Sequence, residues 1–214
     1  MQDLAFQTPP HEKRYRMKGH TRMHFAFKRA FDFAFSIAAA IMLFPLMAAI
    51  AVAVGVFDGF PIFFAQDRVG KGGKLFRCYK YRTMKAASPA YMPKGKIDHS
   101  FYVTKLGSFL RSFSLDELPQ LFNVIKGEMS IVGPRPIIAD EANIHILRKE
   151  RGIESAKPGI TGLAQIMGRD ALSDVQKADY DKAYCINSSI IMDVWIILMT
   201  FGVIVHRNGY KENI

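Results

Sequence analysis

Cysteine is almost absent: Cys78 and Cys185 are the only two in 214 residues. They make no disulfide framework and lack metal-ligand spacing, which excludes a stapled secreted scaffold and a zinc module and suits a reducing compartment. No internal repeat or low-complexity tract is present, so a solenoid or a linker-rich chain is excluded. A secretory signal is also lacking. The apolar run starts after more than thirty residues, and Phe57-Asp58-Gly59-Phe60 is a poor cleavage site. Acids are scarce in the first half: residues 1–111 hold 18 Lys/Arg against 6 Asp/Glu, while residues 112–214 hold 11 against 13. Between Asp32 and Asp58 formal charge disappears for twenty-five residues.

What is present is a chain of one-domain length with 50% hydrophobic residues and a formal charge of +10. That pairing points to a membrane surface, nucleic acid or a polyanionic small substrate. A nucleic-acid binder would show a continuous basic helix or an aromatic stacking sheet, and neither is legible. The basic half carries the apolar run, which makes anionic lipid the better partner. Met1 to Pro10 reads as a loose tail, and His11 to Arg29 as a basic surface anchor. The run from Phe33 to Phe57 exceeds the roughly 20 apolar residues a spanning helix needs, with Pro45 at its centre to bend it. Arg68, Lys71, Lys74, Arg77, Lys80, Arg82 and Lys85 make the far flank basic too, so both ends favour the cytoplasmic side. Re-entry and spanning both remain open on the residues alone.

Ile62 to Met84 reads as a hairpin, with Ile62–Ala65 and Leu75–Arg82 flanking the turn-rich Gly70–Lys74. Extended backbone would put Phe76, Cys78, Lys80 and Arg82 on one face. Ala86 to Ser100 reads as a surface loop. Thr104 to Phe113 reads as a short helix delivering Arg111, and Asp140 to Ile153 as a charged helix with solvated side chains. A polar helix is expected from Ser173 to Tyr184. Ile190 to Val205 reads as an apolar core or interfacial helix, in which Asp193 needs a partner.

The stretch Ser112 to Pro136 organises the rest. Ser114-Leu115-Asp116-Glu117 fits a capping box, and ordinary capping satisfies that spacing without any chemistry. Pro119 leaves two registers open. Either Ser114 caps the helix, or Leu118 does and both carboxylates lie in the approach loop. Pro134-Arg135-Pro136 restrains an arginine suited to gripping phosphate.

Several motifs in order carry a resemblance. They are Lys28-Arg29 with Asp32 before a proline-containing apolar segment, Tyr79-Lys80-Tyr81-Arg82-Thr83-Met84, Ser114 to Leu121, Val132-Gly133-Pro134-Arg135-Pro136, Lys157-Pro158-Gly159-Ile160-Thr161-Gly162, and Gly168-Arg169. Together the chain resembles the monotopic phosphoglycosyl transferases, the bacterial sugar transferases that start glycoconjugate assembly on a lipid carrier. The resemblance implies an α+β, mainly helical fold, with a re-entrant membrane helix over about 32–57, interfacial helices and a small β-hairpin around a cytoplasmic-face active site. It implies a tail at 1–27, a single transferase domain at 28–214, and the minimal form without an added N-terminal membrane bundle. A phosphosugar would pass from a UDP-sugar to polyprenol phosphate, of the undecaprenyl kind, with release of UMP at the inner membrane of a bacterium. Asp116 matches the nucleophile and the carboxylate near magnesium (Mg2+), and Glu117 matches its catalytic partner. Lys80, Arg111 and Arg135 are the expected phosphate cations, Arg169 and Asp193 the expected nucleotide-binding or supporting residues, and Gln165 and Asn123 scaffold. Anionic lipid is an expected partner, nucleic acid is not, and homo-oligomerisation stays open. Phe44 before Pro45, Leu163 and Asp174 depart from the residues usual in the family. A membrane-tethered nucleotide-sugar binder without turnover is the alternative.

Overall fold

The structure is a computed structural model that describes residues 22–85, 87–88, 101–139 and 141–206. The tail at Met1 to Pro10, the basic stretch up to residue 21 and most of the 86–100 loop lie outside the described residues.

Helix α1 (Arg22–Ala53) begins well ahead of Asp32, so residues 22–27 are helical rather than tail. Its alanine- and phenylalanine-rich sequence contains no glycine, and helical structure runs through Pro45. Proline removes one backbone hydrogen bond there, which need not end a helix whose other turns are intact. A π-helical turn, Val54–Asp58, continues the element until Gly59 ends it at a φ of 77°. By length and composition, Met23–Asp58 could cross a membrane.

Both halves of α1 are fastened to the folded body. In the first half, Arg29 donates to the carbonyls of Val124 (2.6 Å) and Ile125 (2.8 Å). Those oxygens belong to the last turn of helix α3 (Gln120–Lys126), where helical carbonyls lack partners. Asp32 accepts from the Ser130 hydroxyl (2.8 Å) and the Ile131 amide (3.1 Å). In the second half, Met47, Ile50 and Val54 are buried, and the Tyr81 hydroxyl donates to the Met47 carbonyl. Arg82 donates to the carbonyls of Asp58 and Gly59, and Thr104 donates to the Asp58 carboxylate. Between the two attachments Ile41, Met42, Phe44 and Leu46 are exposed.

Strands β1 (Phe63–Val69) and β2 (Leu75–Tyr81) form the antiparallel hairpin, in register from Phe63 opposite Tyr81 to Val69 opposite Leu75. The first strand runs past Ala65 because its pairing with β2 continues to Val69 opposite Leu75, close to the glycine-rich turn where Gly72 and Gly73 take positive φ. Arg82 lies beyond the strand, so the shared face ends at Lys80. Helix α2 (Lys105–Ser112) is capped by the Thr104 hydroxyl on the Gly107 amide. Strands β3 (Ser130–Val132) and β4 (Gly159–Thr161) pair in parallel, which locks two of the motifs together. The backbones meet so closely that a Cβ on Gly159 would lie 2.1 Å from the Gly133 nitrogen, a contact only glycine permits.

Helix α4 (Ala142–Glu150) was expected to keep its charges in water, yet Arg148 is buried. It is paired with Asp181 of helix α6 (Asp174–Asn187) by two bonds to one carboxylate oxygen, 2.6 and 2.9 Å long. Among the described residues a capping box is formed by Ser173 and Gln176, which opens α6. Short helix α5 (Leu163–Ile166) and helix α7 (Ile190–His206) complete the fold. Asp193 of α7 finds its partners in Lys28 (2.7 Å) and the Tyr184 hydroxyl (2.7 Å). Ile191, Leu198 and Phe201 on the same helix stay exposed, alongside the uncovered apolar side chains of α1. The main core joins Phe76, Cys78, Leu121, Val124, Met129, Leu163, Tyr184 and Ile196.

Candidate active site

The turn before α3 is not the expected capping box. Ser114 takes a left-handed φ of 55° and its side chain caps nothing. Leu115–Glu117 forms a single 3-10 turn, Pro119 occupies the N-cap position, and α3 starts at Gln120. Of the two registers, the one with both carboxylates in the approach to the helix is closer to the observed geometry. Without a cap to make, the carboxylates are available for other contacts.

Asn123 brings the cations to them. From the middle of α3 its side chain accepts from the Tyr79 amide (3.1 Å) and donates to the Arg77 carbonyl (2.7 Å) and to Glu128 (2.7 Å). This clamp holds β2 against α3, so that Lys80 faces the turn that precedes the same helix. Lys80 Nζ lies 2.7 Å from Glu117 Oε1, Arg135 Nη2 lies 3.3 Å from that oxygen, and Arg169 Nη2 lies 4.0 Å from it. Arg169 also reaches the Ser114 hydroxyl at 3.5 Å, from a backbone position with φ of 49°. Arg111 sits on the other side, its Nε donating to Thr83 at 2.9 Å.

The two neighbouring carboxylates are thereby given opposite characters. Burial alone would raise the Glu117 pKa, but Lys80, Arg135 and Arg169 more than reverse it and hold the carboxyl well below the usual range. Burial raises Asp116 above its usual 3.8; Lys80 opposes that, Glu117 adds to it, and Arg111 and Arg169 oppose it more weakly. Asp116 is buried, yet its carboxylate makes no hydrogen bond or ion pair among the described residues. One acid is fixed by cations, and the other keeps its oxygens free beside them.

Residues 23–207 match the family described as bacterial sugar transferase. The chain belongs to the bacterial sugar transferase family. An exopolysaccharide production protein, ExoY, of Sinorhizobium fredii is 39% identical over 199 residues, covering 86% of this chain and 88% of the relative. An undecaprenyl-phosphate galactose phosphotransferase of Salmonella typhimurium is 38% identical over 197 residues, covering 85% of this chain but 41% of the relative. A UDP-glucose:undecaprenyl-phosphate glucose-1-phosphate transferase of Klebsiella pneumoniae is 37% identical over 196 residues, covering 88% and 42%. This sugar transferase therefore spans about two-fifths of the length of the latter two.

The transferase gathers Asp116, Glu117, Lys80, Arg111, Arg135 and Arg169 into one place. Asp193 is not among them. It is buried in a knot with Lys28 and Tyr184, and the Tyr184 hydroxyl also lies 3.0 Å from the Val132 carbonyl, at the root of the Arg135 loop. Its link to the site runs through that loop. Gln165 donates to the Ile160 carbonyl, and with Asn123 it serves as scaffold.

Two features of the site are not legible in the motifs. Arg148 donates to the Arg135 carbonyl at 2.8 Å while Asp181 holds its other edge, so a buried ion pair fixes the backbone of a site arginine. Arg68 joins Cys78, Lys80, Glu117, Gln120, Arg135 and Pro136 in lining one cleft. The alternation of β1 carries the signal: Arg68 and Gln66 pair opposite Phe76 and Cys78, on the side that leads to Lys80.

Of the two carboxylates, Asp116 is the one that could hold a metal ion. Asp116 has free oxygens, Glu117 is enclosed by cations, and no group of three His, Cys, Asp or Glu that could hold a metal occurs among the described residues. A magnesium ion held there would need its remaining ligands from water or a bound phosphate.

Proposed function

We propose that this protein transfers a phosphosugar from a UDP-sugar to polyprenol phosphate, in two steps through a covalent bond to Asp116, and releases UMP. The observation that carries the reading is the contrast within one turn: Glu117 held by Lys80 and Arg135, and Asp116 buried beside them with no partner among the described residues. The galactose and glucose-1-phosphate transferases among its relatives are named for undecaprenyl phosphate as acceptor.

In the first step a carboxylate oxygen of Asp116 bonds to the sugar-bearing phosphorus. The bridging phosphoanhydride bond breaks, and its electron pair leaves with UMP. In the second step an oxygen of the carrier phosphate bonds to the same phosphorus, the acyl phosphate opens, and the Asp116 carboxylate is restored. Neither step requires a net proton. Dividing the transfer spares two anions from meeting directly, and the nucleophile is preset in a dry, cation-lined site. Lys80, Arg135 and Arg169 neutralise charge on the diphosphate while Glu117 keeps them in place, and Arg111 serves the side towards Thr83. Bound magnesium would supply further charge neutralisation on the diphosphate.

The membrane arrangement follows the same reading. The folded body lies at the cytoplasmic face of a bacterial plasma membrane, with α1 dipping into the leaflet and returning. Its two halves are fastened to the same folded body, and Ile41, Met42, Phe44 and Leu46 between the attachments are exposed, as are Phe33, Phe35, Val52, Val56 and Phe57 towards its ends. A carrier with its tail in hydrocarbon and its phosphate among the headgroups meets Asp116 at that level. The assay is incubation with a panel of UDP-sugars, polyprenol phosphate and magnesium. UMP and a diphospho-linked lipid are the expected products. Release of UDP in place of UMP, or binding of every sugar without turnover, would overturn the reading.

The acid side of the pH profile adds a second check. Asp116 attacks only when ionised, and its pKa is raised, so activity falls with acid at a pH above the usual aspartate value of 3.8. Lys80 opposes that rise. Lys80→Met therefore moves the acid limb of single-turnover UMP release to higher pH, besides slowing it. A limb that stays in place, or shifts to lower pH, contradicts the assignment.

A further inference from the structure

Arg68 has no role in the scheme above, yet it is poorly neutralised for a charge in its position. Its guanidinium donates to the Pro136 carbonyl at 3.2 Å and to Gln66 Oε1 at 2.8 Å, both uncharged acceptors. No carboxylate lies within ion-pair distance among the described residues. Burial lowers its pKa, and the Arg135 charge lowers it further. Two arginines thus line one cleft whose carboxylate, Glu117, is already shared by Lys80, Arg135 and Arg169. A planar guanidinium with only two of its five donors used is suited to a doubly contacted phosphate.

Position decides which phosphate. The cleft that Arg68 and Arg135 line takes in Lys80 and Glu117 but not Asp116, Arg111 or Arg169. In an in-line attack, the phosphorus next to Asp116 carries the sugar, and the leaving phosphate lies one bridging oxygen farther away. The Arg68 and Arg135 end of the cleft therefore meets the leaving side.

We infer that Arg68 is a phosphate-binding residue for the leaving group: with Arg135 it grips the nucleotide-side phosphate of the donor, and the same phosphate in free UMP. The inference rests on the donor being a nucleoside diphosphate sugar, as proposed above. Because the contact is to phosphate, it adds to UMP binding and contributes nothing to uridine binding. Polyprenol phosphate, the other phosphate source, attacks in line from the side that UMP has left, so it meets the same arginine pair in the second step.

The test uses the full chain in a membrane mimetic, comparing wild type with Arg68→Ala and Arg68→Lys. UMP and uridine dissociation constants are measured, together with the concentration of polyprenol phosphate that half-saturates transfer. Arg68→Ala weakens UMP roughly tenfold to a hundredfold, the loss of one or two charge-assisted hydrogen bonds. Uridine affinity stays unchanged, the acceptor concentration for half-saturation rises along with the UMP dissociation constant, and Arg68→Lys recovers part of the loss. Should Arg68→Ala fail to fold, Arg68→Gln retains the stem and shows the same split. Unchanged UMP affinity overturns the inference, as does a parallel loss of UMP and uridine, and so does an effect confined to polyprenol phosphate. A wild-type protein that does not prefer UMP to uridine would instead fault the donor assignment itself.

Discussion

Asp116→Asn abolishes transfer, lowering the rate at least about a thousandfold, and leaves the protein folded. The substitution keeps the shape of the side chain and removes the charged oxygen that attacks. Because Asp116 makes no hydrogen bond or ion pair among the described residues, the amide breaks no structural contact. It also removes a buried negative charge beside Glu117, so folding stability at neutral pH is retained or slightly increased. Loss of activity together with loss of fold would make Asp116 a structural residue. Near-normal UMP release from the folded variant would rule it out as nucleophile.

Asp181→Ala unfolds the protein more readily than any single change within the cleft, by about 3–5 kcal/mol in chemical denaturation. The magnitude comes from what remains. Burial raises the Asp181 pKa even with Arg148 beside it, so the pair is not a strong net stabiliser. Removing Asp181 alone, however, leaves the Arg148 guanidinium buried without its anion. Replacing both residues by apolar ones of similar size costs less than removing Asp181 alone, since no orphan charge is created. The double replacement still slows transfer, because the Arg135 carbonyl loses the Arg148 Nη1 donor that fixes it. A cost for Asp181→Ala below about 1 kcal/mol would show that water or another group compensates Arg148.

Local chemistry explains what could be read in the chain. Lys80 and Arg135 stand in short motifs whose residue types suit anion handling, the roles of Asp116 and Glu117 come from the resemblance alone, and the fold brings these motifs together. The hairpin and the capped helix α2 follow from turn glycines and a threonine at the right place. The misreadings have local causes as well. Ser114 has the spacing of a capping box, but its left-handed backbone aims the side chain elsewhere, and the real box opens α6 at Ser173. Arg148 sits among charged neighbours on a helix that reads as solvated, and its partner is 33 residues away on another helix. No periodicity encodes such a pairing. Arg68 escapes a sequence reading because the apolar run stops at Ala65, four residues short of the strand's limit at Val69.

The account stands most directly on the mass of the intact protein after incubation with a UDP-sugar and magnesium, with no lipid acceptor present. It predicts a gain equal to one phosphosugar less water, absent in Asp116→Asn and discharged when polyprenol phosphate is added. Protein that stays unmodified with every donor, while the complete mixture still makes UMP and lipid product, would contradict the covalent route and with it the role given to Asp116.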